Sequence, residues 1–170
     1  MSAEADVIEA VRLEFAALRT LAERAAAQLD EPAFFAALDR DANSVALLMK
    51  HVGGNLRSRW AEPFTTDGEK PDRHRDREFD REPADTRAAI EQRWNGGWAT
   101  LFAVLEQAVP ADLARRVRIR GEELAFARAL TRSLAHTAGH VHQIVMLARH
   151  WRGSAWQTLS VPRAPSGGTV

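Results

Sequence analysis

The sequence predicts an all-α protein, a four-helix bundle with a long crossover loop between the second and third helices and a small hairpin before the fourth. Three observations predict it. Four long stretches carry apolar residues at three- and four-residue steps, which makes one apolar stripe per helix. A 24-residue segment, residues 61–84, breaks that period with three prolines, one glycine and dense mixed charge. A single short stretch, Arg116 to Arg120, alternates polar and apolar residues before Gly121, the pattern of one hairpin arm.

The first helix is predicted over about residues 3–29, with Val7, Val11, Phe15, Leu18, Leu21 and Ala25 as its stripe, and Asp30-Glu31-Pro32 interrupts it. The second is predicted over about 43–60, with Asp41, Asn43 or Ser44 as N-cap and Val45, Leu48, Met49, Val52 and Leu56 facing inward. Gly53-Gly54 inside this helix costs about 1 kcal/mol per glycine relative to alanine. That cost points to close packing, or to a backbone that something must approach. The third helix is predicted from a cap at Asp85 to about 108, with Ile90, Trp94, Trp98, Leu101 and Leu105 inward, and Pro110 ends it. The fourth is predicted over about 123–152. One domain covers residues 1–163, and the Pro-, Gly- and Ser-rich end, 164–170, reads as a flexible tail. The short first connection makes the first two helices antiparallel. A second helix of 18 residues is about 27 Å long, and the 61–84 loop can cross that length, which lets the second and third helices run parallel.

Composition narrows the function. Apolar residues make up 45% and charged residues 27% of 170 residues, an ordinary globular balance. Basic and acidic residues number 23 each, so the net charge is zero and lacks the basic excess of a nucleic-acid binder. There is no cysteine, which excludes disulfides, Cys-ligated zinc and a thiol nucleophile of the chain's own. The N-terminal segment lacks the basic and apolar regions of a signal peptide, and no apolar run approaches the roughly 20 residues that span a bilayer. The expectation is a cytoplasmic protein without membrane or nucleic-acid partners.

Six histidines carry the chemistry: His51, His74, His136, His140, His142 and His150. His136 and His140 form an HxxxH pair on a helical segment. Residues four apart differ by about 40° in azimuth and one turn in height, so this pair can converge on one ion. His142 lies about 200° from His140, and His150 is roughly 15 Å further along the helix. His51, mid-helix beside Leu48 and Val52, is the best third ligand if the second and fourth helices pack together. Three neutral imidazoles suit zinc, nickel, copper or iron(II) and leave a coordination position open, as in catalytic zinc sites. Binding is expected to weaken as pH falls through about 6.5, the unperturbed His value. Against this stands the ordinary role of a half-buried His as a hydrogen-bonded core residue.

The segments NSVALLMKHVGGNLRSRW, TTDGEKPDRHRDREF and SLAHTAGHVHQIVMLARHW followed by WQTLSVPR, in that order and spacing, resemble a branch of the DinB-like (YfiT-like) superfamily carrying the DGEKP loop motif. The resemblance extends from the first helix to about Arg163. It implies an up-down-down-up bundle and a divalent metal held at the positions of His51, His136 and His140; zinc or nickel is the expected ion. One departure is His142, where the family pattern has glycine. Related members resemble thiol-dependent S-transferases and a thiol-dependent maleylpyruvate isomerase. The expected function is therefore a metal-dependent transferase using a low-molecular-weight thiol cosubstrate. A metal-dependent hydrolase and a non-catalytic metal- or partner-binding stress-response protein are the alternatives.

Three further expectations follow. Asn55 and Arg59 lie four and eight residues after His51, on its face, where they can bind a small-molecule substrate or hydrogen-bond the 61–84 loop; the structural role is favoured for Arg59. Arg73, Arg75 and Arg77 can meet an anion, or pair with Asp72, Asp76, Glu78 and Asp80, the favoured reading. Surplus apolar residues, including Phe34, Phe35 and Phe102, suggest a homodimer interface.

Overall fold

The computed structural model describes residues 2–160, which form five α-helices and one two-stranded sheet. Ser2 caps α1 (Ala3–Ala26) by accepting a hydrogen bond from the Ala5 amide. The predicted first helix runs too far: Asp30 caps a separate five-residue helix, α2 (Glu31–Phe35), with Pro32 in its first turn, where a missing N–H costs nothing. Helix α3 (Val45–Trp60) starts at Ser44, whose hydroxyl accepts from the Leu47 amide. Helix α4 (Arg87–Gln107) is capped by Thr86, not by Asp85. The Asp85 carboxylate is engaged elsewhere, by Lys50 Nζ and the Glu82 amide at 2.8 Å each.

The hairpin is complete: β1 (Arg116–Ile119) pairs antiparallel with β2 (Glu122–Ala125). Helix α5 (Phe126–Arg152) therefore begins later than predicted, because the residues before it are committed to the sheet. The turn holds Arg120 at φ 55° and Gly121 at φ 77°, the left-handed pair of a tight hairpin turn. Arginine is a poor choice there. Asp67, from the distant 61–84 segment, compensates: its carboxylate accepts from the Arg120 and Gly121 amides at 2.8 Å each.

Helix α3 packs mainly on α4, α1 packs mainly on α5, and α3 also meets α5. Trp60, Trp94, Trp98, Phe15, Phe34 and Phe126 are the largest buried side chains between them. Phe34 is fully buried, and Phe102 stacks on Trp98 at 5.7 Å between ring centroids. Phe35 and Phe102 are half-buried and pack against this core. Lys50, fully buried on α3, donates to the Asp80 carbonyl, Glu82 and Asp85. One buried ammonium thus draws the end of the crossover segment onto α3 just before α4 starts. Among the described residues no helix is long and apolar enough to cross a membrane. The 164–170 tail lies outside the described residues.

Candidate metal centre

His51 projects from the middle of α3, and His136 and His140 project from one face of α5. Packing of α3 against α5 brings the three rings together, with one ring nitrogen from each within 4.8 Å of the others. His136 Nε2 lies 3.2 Å from His51 Nε2 and 3.2 Å from His140 Nε2. Two ligands about 2.05 Å from a tetrahedral ion are about 3.3 Å apart, so both spacings are those of ligands around one ion.

The outer nitrogens determine which atoms face the common point. Glu78 Oε2 lies 2.8 Å from His51 Nδ1. The Glu78 carboxyl is buried, which pushes its pKa up, but hydrogen bonds from Arg73 and His51 outweigh burial and hold it below the usual carboxylate value. An ionised carboxylate only accepts, so His51 Nδ1 carries the hydrogen and, in the neutral ring, Nε2 carries the lone pair. On His140, Nδ1 donates to the Gln143 amide oxygen at 3.0 Å, again leaving Nε2 as the lone pair. His136 Nε2 can donate to one of these nitrogens but not to both. A second lone pair is left facing it, and a cation at the shared vertex satisfies all three. At neutral pH that cation is not a proton at His136. Burial, with repulsion from His140, His51, Arg59 and Arg73, lowers the His136 pKa to about 4, and burial lowers His140 as well. The donor set therefore fits a divalent ion, and carboxylate–imidazole pairing of the His51–Glu78 kind is the usual support of a metal ligand.

Of the remaining histidines, His74, His142 and His150 are exposed, and none joins this group. His142 Nδ1 instead donates to the Ala138 carbonyl. Asn55 lines a cavity of about 260 Å³ beside His51 and His136. Arg59 lines it too, yet its guanidinium donates to the Gly68 carbonyl and to Glu69, so its described contacts are structural. The arginine run forms ion pairs: Arg73 with Glu78, Arg75 with Asp76, and Arg77 with Glu82.

Residues 2–165 match the family described as Protein of unknown function (DUF1572). The chain belongs to this family. No curated protein and no solved structure matches it.

In this DUF1572 member the Asp67–Pro71 motif stitches three parts of the chain together. Asp67 holds the hairpin turn, the Gly68 carbonyl accepts from Ser58 and Arg59, and Glu69 accepts from Arg59 and Arg120. Downstream, a 3-10 turn over Arg75–Phe79 lays Phe79 against the His51 ring, 4.5 Å between centroids, and inserts Glu78 behind it. Sequence reasoning places Glu78 only among ion-pair partners in a charged loop. Its trace is Gly54: a Cβ there would stand 2.9 Å from Glu78 Cδ. Gln143, three residues after His140 on the same helix, is readable from helical spacing.

Two predictions arise from this site. Replacing Glu78 by Gln should lower metal affinity by about 10- to 100-fold, the usual cost of an outer partner, while the fold persists; competition with a chelator measures it, and unchanged affinity would remove Glu78 from the site. The second concerns pH. Between about 6.5 and about 4 the unfolded chain takes up a proton at residue 136 that the folded, metal-free chain refuses. Stability then rises with pH across that window and is lost as pH falls through it. Thermal melts of the metal-free chain should show this decline, and His136→Ala should show a shallower one. Parallel pH dependence in the two would sink the assignment. Proton competition at His136 and His140 also sets in below the unperturbed His value expected from sequence.

Proposed function

We propose that the chain is a divalent-metal-dependent transferase that joins a low-molecular-weight thiol to an electrophile. The observation that carries the metal is the trio of Nε2 atoms, two of them oriented by Glu78 and Gln143. Zinc and nickel are among the ions that three neutral imidazoles suit, and zinc or nickel is the ion proposed. A divalent ion held this way keeps its charge and favours the anionic form of a thiol at its open position. The chain lacks cysteine, so the thiol comes from a cosubstrate. It loses its proton to solvent, its sulfur forms the new S–C bond, and the leaving group departs with the electron pair.

Two observations favour transfer over the alternatives. A free carboxylate within reach of a metal-bound water would favour hydrolysis, and Glu78 is committed instead to His51 Nδ1 and Arg73. A purely structural ion calls for a closed site, and here a cavity opens beside His51 and His136.

We further propose an up-down-down-up bundle of the DinB-like superfamily. Its support is the order of contacts. Lys50 meets Asp85 while Gly53 meets Arg93 and Trp94, so α3 and α4 advance together. Trp60 meets Ser133 while His51 meets His136, so α3 and α5 run oppositely. A cytoplasmic homodimer completes the proposal. Its apolar contact would draw on exposed residues such as Val7, Leu13 and Met146, and a monomer mass by light scattering would remove it.

The test is metal analysis of the purified chain, then a screen of small thiols against electrophiles. Thiol-dependent product with the metal-loaded chain, absent after chelation, is the expected result. Turnover that needs metal but no thiol would overturn transfer in favour of hydrolysis.

A further inference from the structure

We infer that the cavity beside the histidines takes its small molecule through an oxyanion group, a carboxylate or a phosphate, held by Asn55 and the arginines of its rim. The inference rests on the proposed metal site and names the chemistry of what enters it.

Four arginines, Arg59, Arg75, Arg120 and Arg132, line the cavity with Asn55, and among the described residues no aspartate or glutamate does. Their carboxylate partners stand outside it and are too few. Glu69 alone answers Arg59 and Arg120, and it also lies 3.5 Å from Arg73. Arg132 reaches Glu122 only at 3.5 Å, and Arg75 reaches an Asp76 that is almost wholly in water. A cleft lined by one sign of charge against low-dielectric walls concentrates the opposite ion, and planar guanidinium groups match the two oxygens of a carboxylate or phosphate.

Asn55 adds an independent observation. It is 8% exposed, one helical turn beyond His51, and its amide makes no side-chain hydrogen bond among the described residues. Its amide is not one of the buried polar groups left without a partner; it opens onto the cavity, where a ligand oxygen can take the place of water. At about 260 Å³ the space is slightly smaller than drug-sized pockets, which limits the ligand to a small molecule. An oxyanion anchored there sets the rest of the molecule beside His51 and His136.

Titration calorimetry of the full chain, as purified and zinc-loaded, tests this at constant ionic strength with succinate, inorganic phosphate and neutral succinamide. At least one anion should saturate and succinamide should not. Succinate alone assigns a carboxylate, phosphate alone a phosphate, and both together a general oxyanion site. Arg75→Gln, Arg132→Gln and Asn55→Leu should each weaken binding about tenfold, as expected for one lost hydrogen bond to a charged group. Arg75 and Arg132 are half-exposed, so their variants should fold even if Asn55→Leu does not. Arg57→Gln, in a different cavity, should change nothing. Equal binding of succinamide, saturation by neither anion, or unchanged affinity in both arginine variants would overturn the inference. Metal content measured on the same samples keeps the two readings apart: loss of anion binding with metal retained is a failure of this inference alone.

Discussion

Alanine at His51, His136 or His140 is expected to strip the protein of its metal, with affinity falling by more than the 10- to 100-fold that loss of an outer partner costs. The reason is geometric. His136 Nε2 lies 3.2 Å from both His51 Nε2 and His140 Nε2, and two remaining imidazoles close too little of the coordination sphere. Alanine at His74, His142 or His150 should leave metal content unchanged, because those rings are exposed and outside the group. Metal stoichiometry of the six variants, purified identically, makes the comparison. Metal lost from His142→Ala but kept by His136→Ala would mean that the ligand face of α5 is misassigned. Unchanged stoichiometry in all six would mean that the tri-histidine site does not hold metal.

Alanine at Gly97 and at its neighbour Gly96 should act in opposite directions. A Cβ at Gly97 would stand 2.8 Å from Gly53 Cα, and one at Gly53 would stand 2.8 Å from the Arg93 carbonyl oxygen. Backbone meets backbone at this crossing of α3 and α4, and neither side has a rotamer to change. Gly97→Ala should therefore cost about 3 kcal/mol, the upper range for overpacking, and lower Tm by roughly 6–12 °C in a chain of this length. At Gly96 a Cβ meets nothing within 4 Å, and alanine there should stabilise by about 0.5–1 kcal/mol by restricting the unfolded chain and favouring helix. Melting curves at matched metal content read both. A Gly97→Ala protein as stable as its parent would show that α3 and α4 do not cross this closely.

The same crossing resolves the two meanings open for the Gly53-Gly54 pair. Close packing applies to Gly53, against α4, and approach by another group applies to Gly54, where Glu78 comes in. Sequence supplies the requirement for space but not its occupant, because each occupant arrives from a segment far along the chain.

What the sequence determines by itself is what a helix makes local. The 3.6-residue period places His136 and His140 on one face and turns His142 away, and apolar periodicity locates the four long helices to within a few residues. The short helix α2 escapes that reading, because five residues are too few to express a period. What only the tertiary structure decides is everything carried by residues 61–84. Their hydrogen bonds close over tens of residues, from Asp67 to the hairpin and from Glu78 to His51, and an aperiodic loop has no repeat from which its side-chain directions can be read. The His51 tautomer depends on the Glu78 bond, and the placing of Arg75 at the cavity depends on the same loop, whereas the His140 tautomer is set within α5 by Gln143. How the loop docks onto α3, not the spacing of the histidines, decides the first two.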